Sequence, residues 1–323
     1  MYKIDVSMPE ISIVIPIFNM EKLLPRCLDS ILGQTLRDIE VVAVDDCSTD
    51  GSVGVLESYR AADSRVKIVR HPVNHGTMWT RESGIEAATG NYFLFMDPDD
   101  ALRKDACSQL VEAAIREDAD LVIFDYETVY ADGSSQVFSQ SLPYGSSAHG
   151  FTKAMLLGDV EYTLTRKLFR RDLIETYDHL HIQGYIRSQD AAAMCIISPH
   201  VKKAILLDSP FYLYYQNAGS ATNKRMGENA LRNIMWTNAI RLESLEWDKE
   251  LKEEGRRYCA RTLLNMHKNG YDHKMVRSLA KESGLWDCVS FGTLTRTMGL
   301  RKALSYWVLT HVPGVAPIVY PHK

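Results

Sequence analysis

Residues 91–100 have the sequence NYFLFMDPDD, a short apolar run that is followed directly by three carboxylates. The length and aromatic content of 92–96 predict a buried strand rather than a helix. Pro98 stiffens the turn that follows, because its ring fixes its own backbone and disfavours helical geometry at Asp97. Acids on a stiff turn repel one another unless a cation lies among them, and hard oxygen ligands favour Mg²⁺ or Mn²⁺. The alternative is an acidic surface turn in which Asp100 caps the next helix.

Strands and helices are predicted to alternate on both sides of this stretch. The predicted strands are 11–18, 40–44, 65–70, 92–96 and 121–126. Such alternation is typical of a parallel α/β sheet, in which ligands bind beyond the carboxyl ends of the strands. Polar clusters follow four of these strands, at 18–19, 45–46, 74–76 and 97–100. One site formed by four strand ends explains these clusters better than four independent turns.

Size and composition are those of a globular protein with one large or two ordinary domains. The chain has 323 residues, of which 46% are hydrophobic and 24% charged. Its six cysteines include no CxxC pair, which argues against a zinc or redox motif and suits a reducing compartment. The first ten residues contain no apolar segment and no run of 18 apolar residues occurs, so we expect neither a signal peptide nor a transmembrane helix.

Two common nucleotide-binding motifs are absent from the sequence. No GxG follows the first strand and no GK[ST] occurs, which excludes a dinucleotide fingerprint and a P-loop. Phosphates must then be held by a metal and by side chains. Asp46 could accept a hydrogen bond from a base or a ribose, Phe18 could lie against a base, and Arg81 could neutralise a phosphate. For each of these three residues a purely structural role is an equally good explanation.

Three stretches carry a resemblance to a known family: ISIVIPIFNMEKLLPRCLDSILGQT, DIEVVAVDDCSTDGS and NHGTMWTRESGIEAATGNYFLFMDPDD. Together they span roughly 10–126 and resemble family 2 glycosyltransferases of the GT-A fold. Weaker similarity continues at 165–174, 188–194 and 212–222, whereas 228–323 match no motif. The resemblance predicts a GT-A domain at 1–227, formed by a nucleotide-binding half (1–126) and an acceptor-binding half (127–227). A C-terminal helical region is expected at 228–323.

The resemblance also implies a UDP-sugar donor, a divalent cation (Mn²⁺ or Mg²⁺) and inversion at the anomeric carbon. Its donor-binding residues are Pro16, Phe18, Asn19, Glu21, Asp46, Gly76, Arg81 and Asp97. Asp46 would bond the uracil ring, Asp97 and Asp99 would form the DxD element with Asp99 as the main metal ligand, and Asp190 would be the catalytic base. Two departures from the family bear on acceptor binding and on the tuning of the base. Ser188-Gln189 replaces the usual Gly-Glu, and Glu82 replaces an Asn.

We therefore predict a metal-dependent, inverting glycosyltransferase that acts on a glycan or lipid-linked acceptor of a bacterial surface polysaccharide, without a nucleic-acid partner. We expect it in the cytoplasm or at the inner face of the plasma membrane. The alternative is a catalytically silent homologue that binds a sugar nucleotide or a partner protein. A nucleotidyltransferase would require a Gly-rich loop after the first strand, and IPIFNMEK contains no Gly.

Basic residues are concentrated in two places. Residues 1–223 carry a net charge of −11, whereas 224–323 carry +7. Near the C-terminus the apolar segment 305–320 follows two basic residues and is broken by Pro313 and Pro317, so it is too short to span a bilayer. We expect 301–323 either to contact an anionic membrane or to pack on the protein or on a second subunit. A second cluster, Arg166, Lys167, Arg170 and Arg171, either meets acceptor phosphates or is solvated.

Overall fold

The computed structural model describes residues 9–176, 188–216, 227–269, 271–300, 303–304 and 307. Within them a nine-stranded sheet is flanked by helices. The strands are β1 Ile11–Ile17, β2 Ile39–Asp45, β3 Val66–Arg70, β4 Tyr92–Phe95, β5 Ala101–Leu102, β6 Leu121–Val129, β7 Ser135–Phe138, β8 Lys167–Arg170 and β9 Ala204–Tyr215. The helices are α1 Leu24–Leu32, α2 Ser52–Ala62, α3 Thr77–Ala87, α4 Ala106–Glu117, α5 Ala148–Leu157, α6 Arg171–Ile174, α7 Gln189–Ile197, α8 Glu228–Ser244, α9 Lys249–Lys268, α10 His273–Glu282 and α11 Phe291–Met298.

The sheet has the strand order β3-β2-β1-β4-β8-β6-β9-β5, with β7 paired to β6. The first four strands are parallel, as the alternating pattern predicted. The second half is mixed, because β8 lies antiparallel between β4 and β6 while β9 runs parallel to β6. The carboxyl ends of β1 to β4 therefore meet at one edge of the sheet.

Both faces of the sheet are covered, which explains the almost continuous apolar sequences of its central strands. Every residue of β1 and β2 is buried. Residues from α1, α2 and α4 pack on one face, and residues from α3, α5 and α7 pack on the other. On α1 the residues Leu24, Leu28 and Ile31 recur at helical spacing and are all buried, so one face of the helix packs on the sheet.

Hydrogen bonds connect the turn before β4 to β1 and β2 at the amino ends of these strands, opposite the edge at which their carboxyl ends meet. The buried carboxylate of Glu40 accepts hydrogen bonds from Ser12 and from the turn at Thr89 and Gly90. Burial acts to raise the pKa of Glu40, but these bonds and Lys67 hold it below its usual value. A Cβ on Gly90 would come within 2.7 Å of the Ser12 backbone nitrogen, so glycine permits this close approach.

The helices from α8 to α11 share their own apolar core and also support the sheet domain. Helix α8 packs against α7, and Thr237 on α8 donates a hydrogen bond of 3.4 Å to the Ser188 carbonyl at the start of α7. The guanidinium of Arg241 lies 4.6 Å from the ring centroid of Tyr162 and 4.1 Å from that of Tyr258. These contacts connect the C-terminal helices to the segment before β8. A domain boundary at residue 227 stays a prediction.

Most of the predicted membrane-contacting segment 301–323 lies outside the described residues. Trp307 packs edge-on against Phe291, with 6.4 Å between ring centroids. Leu300 and Leu304 are more than half exposed nearby. In the part of the chain that the structure describes, no helix combines the length and apolar character needed to cross a bilayer.

Candidate active site

A cleft of about 610 Å³ opens at the carboxyl ends of β1 to β4. Six residues expected at the donor and metal site line it: Pro16, Phe18, Asp46, Gly76, Asp97 and Asp99. Eight further residues complete the lining: Ile17, Met20, Asn74, His75, Thr77, Thr80, Pro98 and Gln189. The four polar clusters of the sequence thus lie around one cavity, as expected for a ligand site in an open α/β sheet.

Asn19 and Glu21 do not line this cleft but connect the loops that follow β1 and β2. The side-chain oxygen of Asn19 accepts a hydrogen bond of 2.8 Å from the Thr49 backbone nitrogen. A carboxylate oxygen of Glu21 accepts one of 3.1 Å from Gly51, where a side chain would collide with Glu21. Both residues therefore brace the rim beside Phe18, which is 44% exposed.

Asp46 organises the loop that follows β3. Its carboxylate is buried and accepts hydrogen bonds from the ring of His71 (2.8 Å) and from the backbone nitrogens of His75 (2.9 Å) and Gly76 (2.7 Å). Gly76 has φ of 90°, a conformation that favours glycine. His75 lines the cleft and stacks on Trp79 with ring centroids 4.9 Å apart. The loop thus presents an aromatic surface to the cleft.

The three acids after β4 separate into two environments. Asp97 and Asp99 line the cleft, whereas Asp100 is fully buried and does not. Asp100 accepts hydrogen bonds from the Tyr212 hydroxyl (2.7 Å) and the Tyr215 backbone nitrogen (2.9 Å), which tie the turn to β9. Burial, with the charges of Asp97 and Asp99, raises the pKa of Asp100 to about 8. Asp100 therefore serves neither as a helix cap nor as part of the cleft surface.

Arg81 joins the candidate metal carboxylate to the candidate base. This guanidinium on α3 is buried, lies 3.0 Å from an oxygen of Asp97 and donates a hydrogen bond to Oδ1 of Asp190. Burial alone would lower the pKa of Arg81, but the charges of Asp190 and Asp97 outweigh it and raise the pKa. The other oxygen of Asp190 accepts a bond of 3.0 Å from the Leu164 backbone nitrogen. Asp190, at the start of α7, is thereby fixed on two sides.

The carboxylates of Asp97 and Asp99 supply only oxygen ligands. Among the described residues no group of three or more His, Cys, Asp or Glu side chains has a metal-binding arrangement. Magnesium-type sites commonly use one or two protein carboxylates and complete their coordination with phosphate oxygens and water. Two carboxylates at the wall of an open cleft fit a divalent cation of this kind. Burial, with Asp190 and Asp99, raises the pKa of Asp97 while Arg81 opposes that shift.

Sequence reasoning missed three features of this site. His75 belongs to the polar cluster 74–76 and Gln189 to the departure at 188–189, but neither was assigned a role at the donor site, and both line the cleft. No sequence pattern indicates that Arg81 pairs with both Asp97 and Asp190. Arg81 lies 16 positions before Asp97 and 109 positions before Asp190 in the chain. The third feature is the burial of part of the basic cluster at 166–171, for which solvated charges were one of the two expectations. Lys167 has 0% exposure and Arg166 has 8%.

Comparison with known proteins supports the same family. Residues 12–178, more than half of the chain, match the model of Glycosyl transferase family 2. The chain is 34% identical over 172 residues to EpsH of Bacillus subtilis, named as a glycosyltransferase, a match that covers 52% of this chain and 49% of EpsH. It is 41% identical over 100 residues to the poly(ribitol-phosphate) beta-glucosyltransferase of Bacillus spizizenii, covering 30% of this chain and 16% of that protein. The matches span about half or less of these relatives.

A structural comparison confirms the expected GT-A fold. The crystal structure of S. aureus TarS 1-349 in complex with UDP-GlcNAc matches with a TM-score of 0.73 and covers 94% of this chain and 89% of that one. The sequence identity is 19%, so the likeness concerns the fold alone.

Asp46→Asn is expected to loosen the loop at 71–76. An amide has one acceptor oxygen, so it cannot accept the bonds that both carboxylate oxygens receive from this loop. Because a hydrogen bond to a charged group contributes about 1.5–3 kcal/mol, amide exchange at His75 and Gly76 should accelerate about tenfold or more. Hydrogen-exchange mass spectrometry of a peptide covering 71–77 measures this.

Asp50→Asn is the matched control, because Asp50 accepts a bond from the Glu21 backbone nitrogen in the neighbouring loop. Equal exchange at 75–76 in Asp46→Asn and the unmodified protein would contradict the role given to Asp46.

Proposed function

This chain belongs to glycosyl transferase family 2, and from that premise we propose that it transfers a sugar from a UDP-sugar to a glycan or lipid-linked acceptor, with inversion, in the synthesis of a bacterial surface polysaccharide. The observation that carries the proposal is the position of Asp190 and Asp97 on one buried guanidinium at the cleft. Asp97, which lines the cleft, could then hold a donor-bound cation, and Asp190, which lies behind the cleft wall on the same guanidinium, could serve the acceptor. The name of the B. spizizenii relative, which acts on poly(ribitol phosphate), favours a polymer acceptor.

Donor binding is assigned to the loops after β1, β2 and β3. Pro16, Phe18 and the ring of His75 offer apolar and aromatic surface to a base. Asn19 and Glu21 hold the rim of this pocket, and Gly76, with its φ of 90°, gives the loop that Asp46 orders its shape. Asp46 would accept a hydrogen bond from the uracil ring with its own oxygens. It would also position the ring indirectly, because it holds the loop at 71–76.

The diphosphate is assigned to Asp97, Asp99 and Arg81. Asp99 and Asp97 would hold Mn²⁺ or Mg²⁺ together with diphosphate oxygens, and Arg81 lies beside Asp97. A bound divalent cation supplies charge neutralisation at the leaving diphosphate.

Transfer then occurs as a single displacement. Asp190 takes the proton of the acceptor hydroxyl while the oxygen bonds to the anomeric carbon, and the bond from that carbon to the diphosphate oxygen breaks with its electron pair leaving on UDP. Arg81 and the Leu164 backbone nitrogen keep the Asp190 carboxylate in one orientation. Each of its oxygens retains a lone pair that can accept a proton. General base catalysis contributes typically about 10²- to 10⁴-fold to the rate.

Asp190→Asn is expected to lower turnover at least about 10²-fold, because an amide cannot take the proton. UDP affinity should be preserved, since Asp190 does not line the cleft at which the donor is assigned. UDP release from UDP-sugars with Mn²⁺ measures turnover, and calorimetry measures UDP binding.

Asp172→Asn is the control, because that exposed carboxylate pairs with Arg170 away from the cleft. Near-normal turnover in Asp190→Asn would mean that the base lies elsewhere. If the unmodified protein binds UDP but turns over none of the UDP-, GDP- or dTDP-sugars, the silent homologue is favoured.

We also propose that the protein works in the cytoplasm, docked on the inner face of the plasma membrane through 301–323. The described residues include six unpaired cysteines, which suits a reducing compartment. Docking is supported by the exposed side chains of Phe291, Leu300 and Leu304 beside the start of this segment. A second copy of the chain is the alternative occupant of this apolar patch.

Sedimentation with anionic liposomes tests the docking. We expect pelleting at low salt that weakens at high salt, because each basic residue near the surface contributes about 1 kcal/mol. Leu300→Glu with Leu304→Glu should reduce pelleting, whereas Ile115→Glu, an equally exposed residue on α4, should not. Protein that stays in the supernatant at low salt would contradict docking, and a dimer in sedimentation velocity would favour the second copy.

A further inference from the structure

Lys167 is a buried cation that the proposed mechanism does not use. It lies in β8 at the centre of the sheet and has 0% exposure. Its ammonium donates hydrogen bonds of 2.7 Å to the backbone carbonyls of Glu161 and Thr163. A buried lysine is costly unless its donors find partners, and here both acceptors belong to one short segment before β8. Lys167 therefore holds the segment 161–164 from the side that faces the core of the sheet domain.

The opposite side of this segment contacts Asp190. The backbone nitrogen of Leu164 donates a hydrogen bond of 3.0 Å to Oδ2 of Asp190. The Thr163 carbonyl and the Leu164 nitrogen belong to the same peptide group, so Lys167 binds its oxygen end and Asp190 its hydrogen end. A cation at the carbonyl and an anion at the N–H both align with the peptide dipole, and hydrogen bonds in such a chain strengthen one another.

Neighbouring residues restrict this segment further. Arg166 adopts a left-handed conformation with φ of 65°, which is unusual for a residue other than glycine. Its side chain bonds the carboxylate of Glu161 and lies 3.7 Å from the ring centroid of Tyr126. Backbone strain of this kind persists where the surrounding structure imposes it, and it is concentrated at functional sites.

We propose that Lys167 is a positioning residue that fixes the orientation of Asp190 through the peptide group between Thr163 and Leu164. This inference rests on the proposed function, in which Asp190 is the base. Arg81 fixes one oxygen of Asp190 and the peptide group fixes the other, so loss of Lys167 leaves the base free to rotate about the Arg81 contact.

The protonation state of Lys167 gives this role a pH dependence. Burial lowers the pKa of Lys167 to about 7, Arg166 lowers it further, and the nearby charges of Glu161 and Asp190 oppose the shift. The side chain is therefore an ammonium below about pH 7 and a neutral amine above it. Charged donors make stronger hydrogen bonds than neutral ones, so the peptide group is held more firmly on the acid side. Turnover should fall as pH rises through about 7.

Lys167→Met tests the inference, because methionine fills similar volume without a charge or a donor. We expect kcat for UDP release from the UDP-sugar to fall about 10- to 100-fold, by analogy with the loss that follows removal of a group that orients a metal ligand. The donor KM and the UDP affinity should stay unchanged, and amide exchange at Leu164 should accelerate. Lys203→Met is the control, since Lys203 also bonds a backbone carbonyl, that of Glu117, and has no contact with Asp190.

The outcomes separate this inference from the proposed function. Unchanged kcat in Lys167→Met, together with an inactive Asp190→Asn, overturns the role of Lys167 and leaves the base assignment intact. Unchanged kcat in Asp190→Asn overturns the base assignment itself. If Lys167→Met does not fold, the pH profile of the unmodified protein decides. A fall in kcat centred near pH 7 that is accompanied by loss of amide protection at Leu164 supports the role of Lys167, and unchanged protection at Leu164 from pH 6 to 8.5 overturns it.

Discussion

The ion pairs of Arg81 with Asp97 and Asp190 are the constraint on which the candidate site depends. They join α3, the turn after β4 and the start of α7 through one buried guanidinium. Arg81 is buried while the side chains of Asp97 and Asp190 are 40% and 25% exposed, so removing one carboxylate costs less than the about 3–5 kcal/mol of a fully buried pair. The three elements are therefore held together electrostatically as well as by the apolar core beneath them. A carboxylate suited to the donor and one suited to the acceptor stay within the span of a single side chain.

The loops around this cleft are ordered by buried carboxyl groups rather than by regular secondary structure. Asp46 holds the loop after β3, and Asp100 holds the turn after β4 against β9. The orientation of Asp190 depends further on the segment before β8 and on α8, which packs behind α7. The C-terminal helices are thus connected to the proposed base, Asp190, through α7. This connection gives them a structural reason to be present even though their sequence carries no family motif.

Much of the first half of the fold follows from local sequence. Runs such as that of β1 are apolar because both faces of the sheet are covered, and their polar ends mark the cleft. The position of β8 between β4 and β6 could not be predicted in this way, because an antiparallel insertion is decided by packing across the whole sheet. The burial of Lys167 was missed for the same reason. Charge in a short basic cluster does not reveal that its first residues enter the core.

The most direct test of the account is the thermal stabilisation of the protein by UDP and Mn²⁺, separately and together. A ligand that binds only the folded state raises the melting temperature according to its affinity. If Asp97 and Asp99 hold a cation that also binds the diphosphate, the two ligands together should stabilise more than the sum of their separate effects. Asp99→Asn should lose this additional stabilisation, whereas Asp105→Asn should keep it. Equal stabilisation by UDP with and without Mn²⁺ would contradict the account.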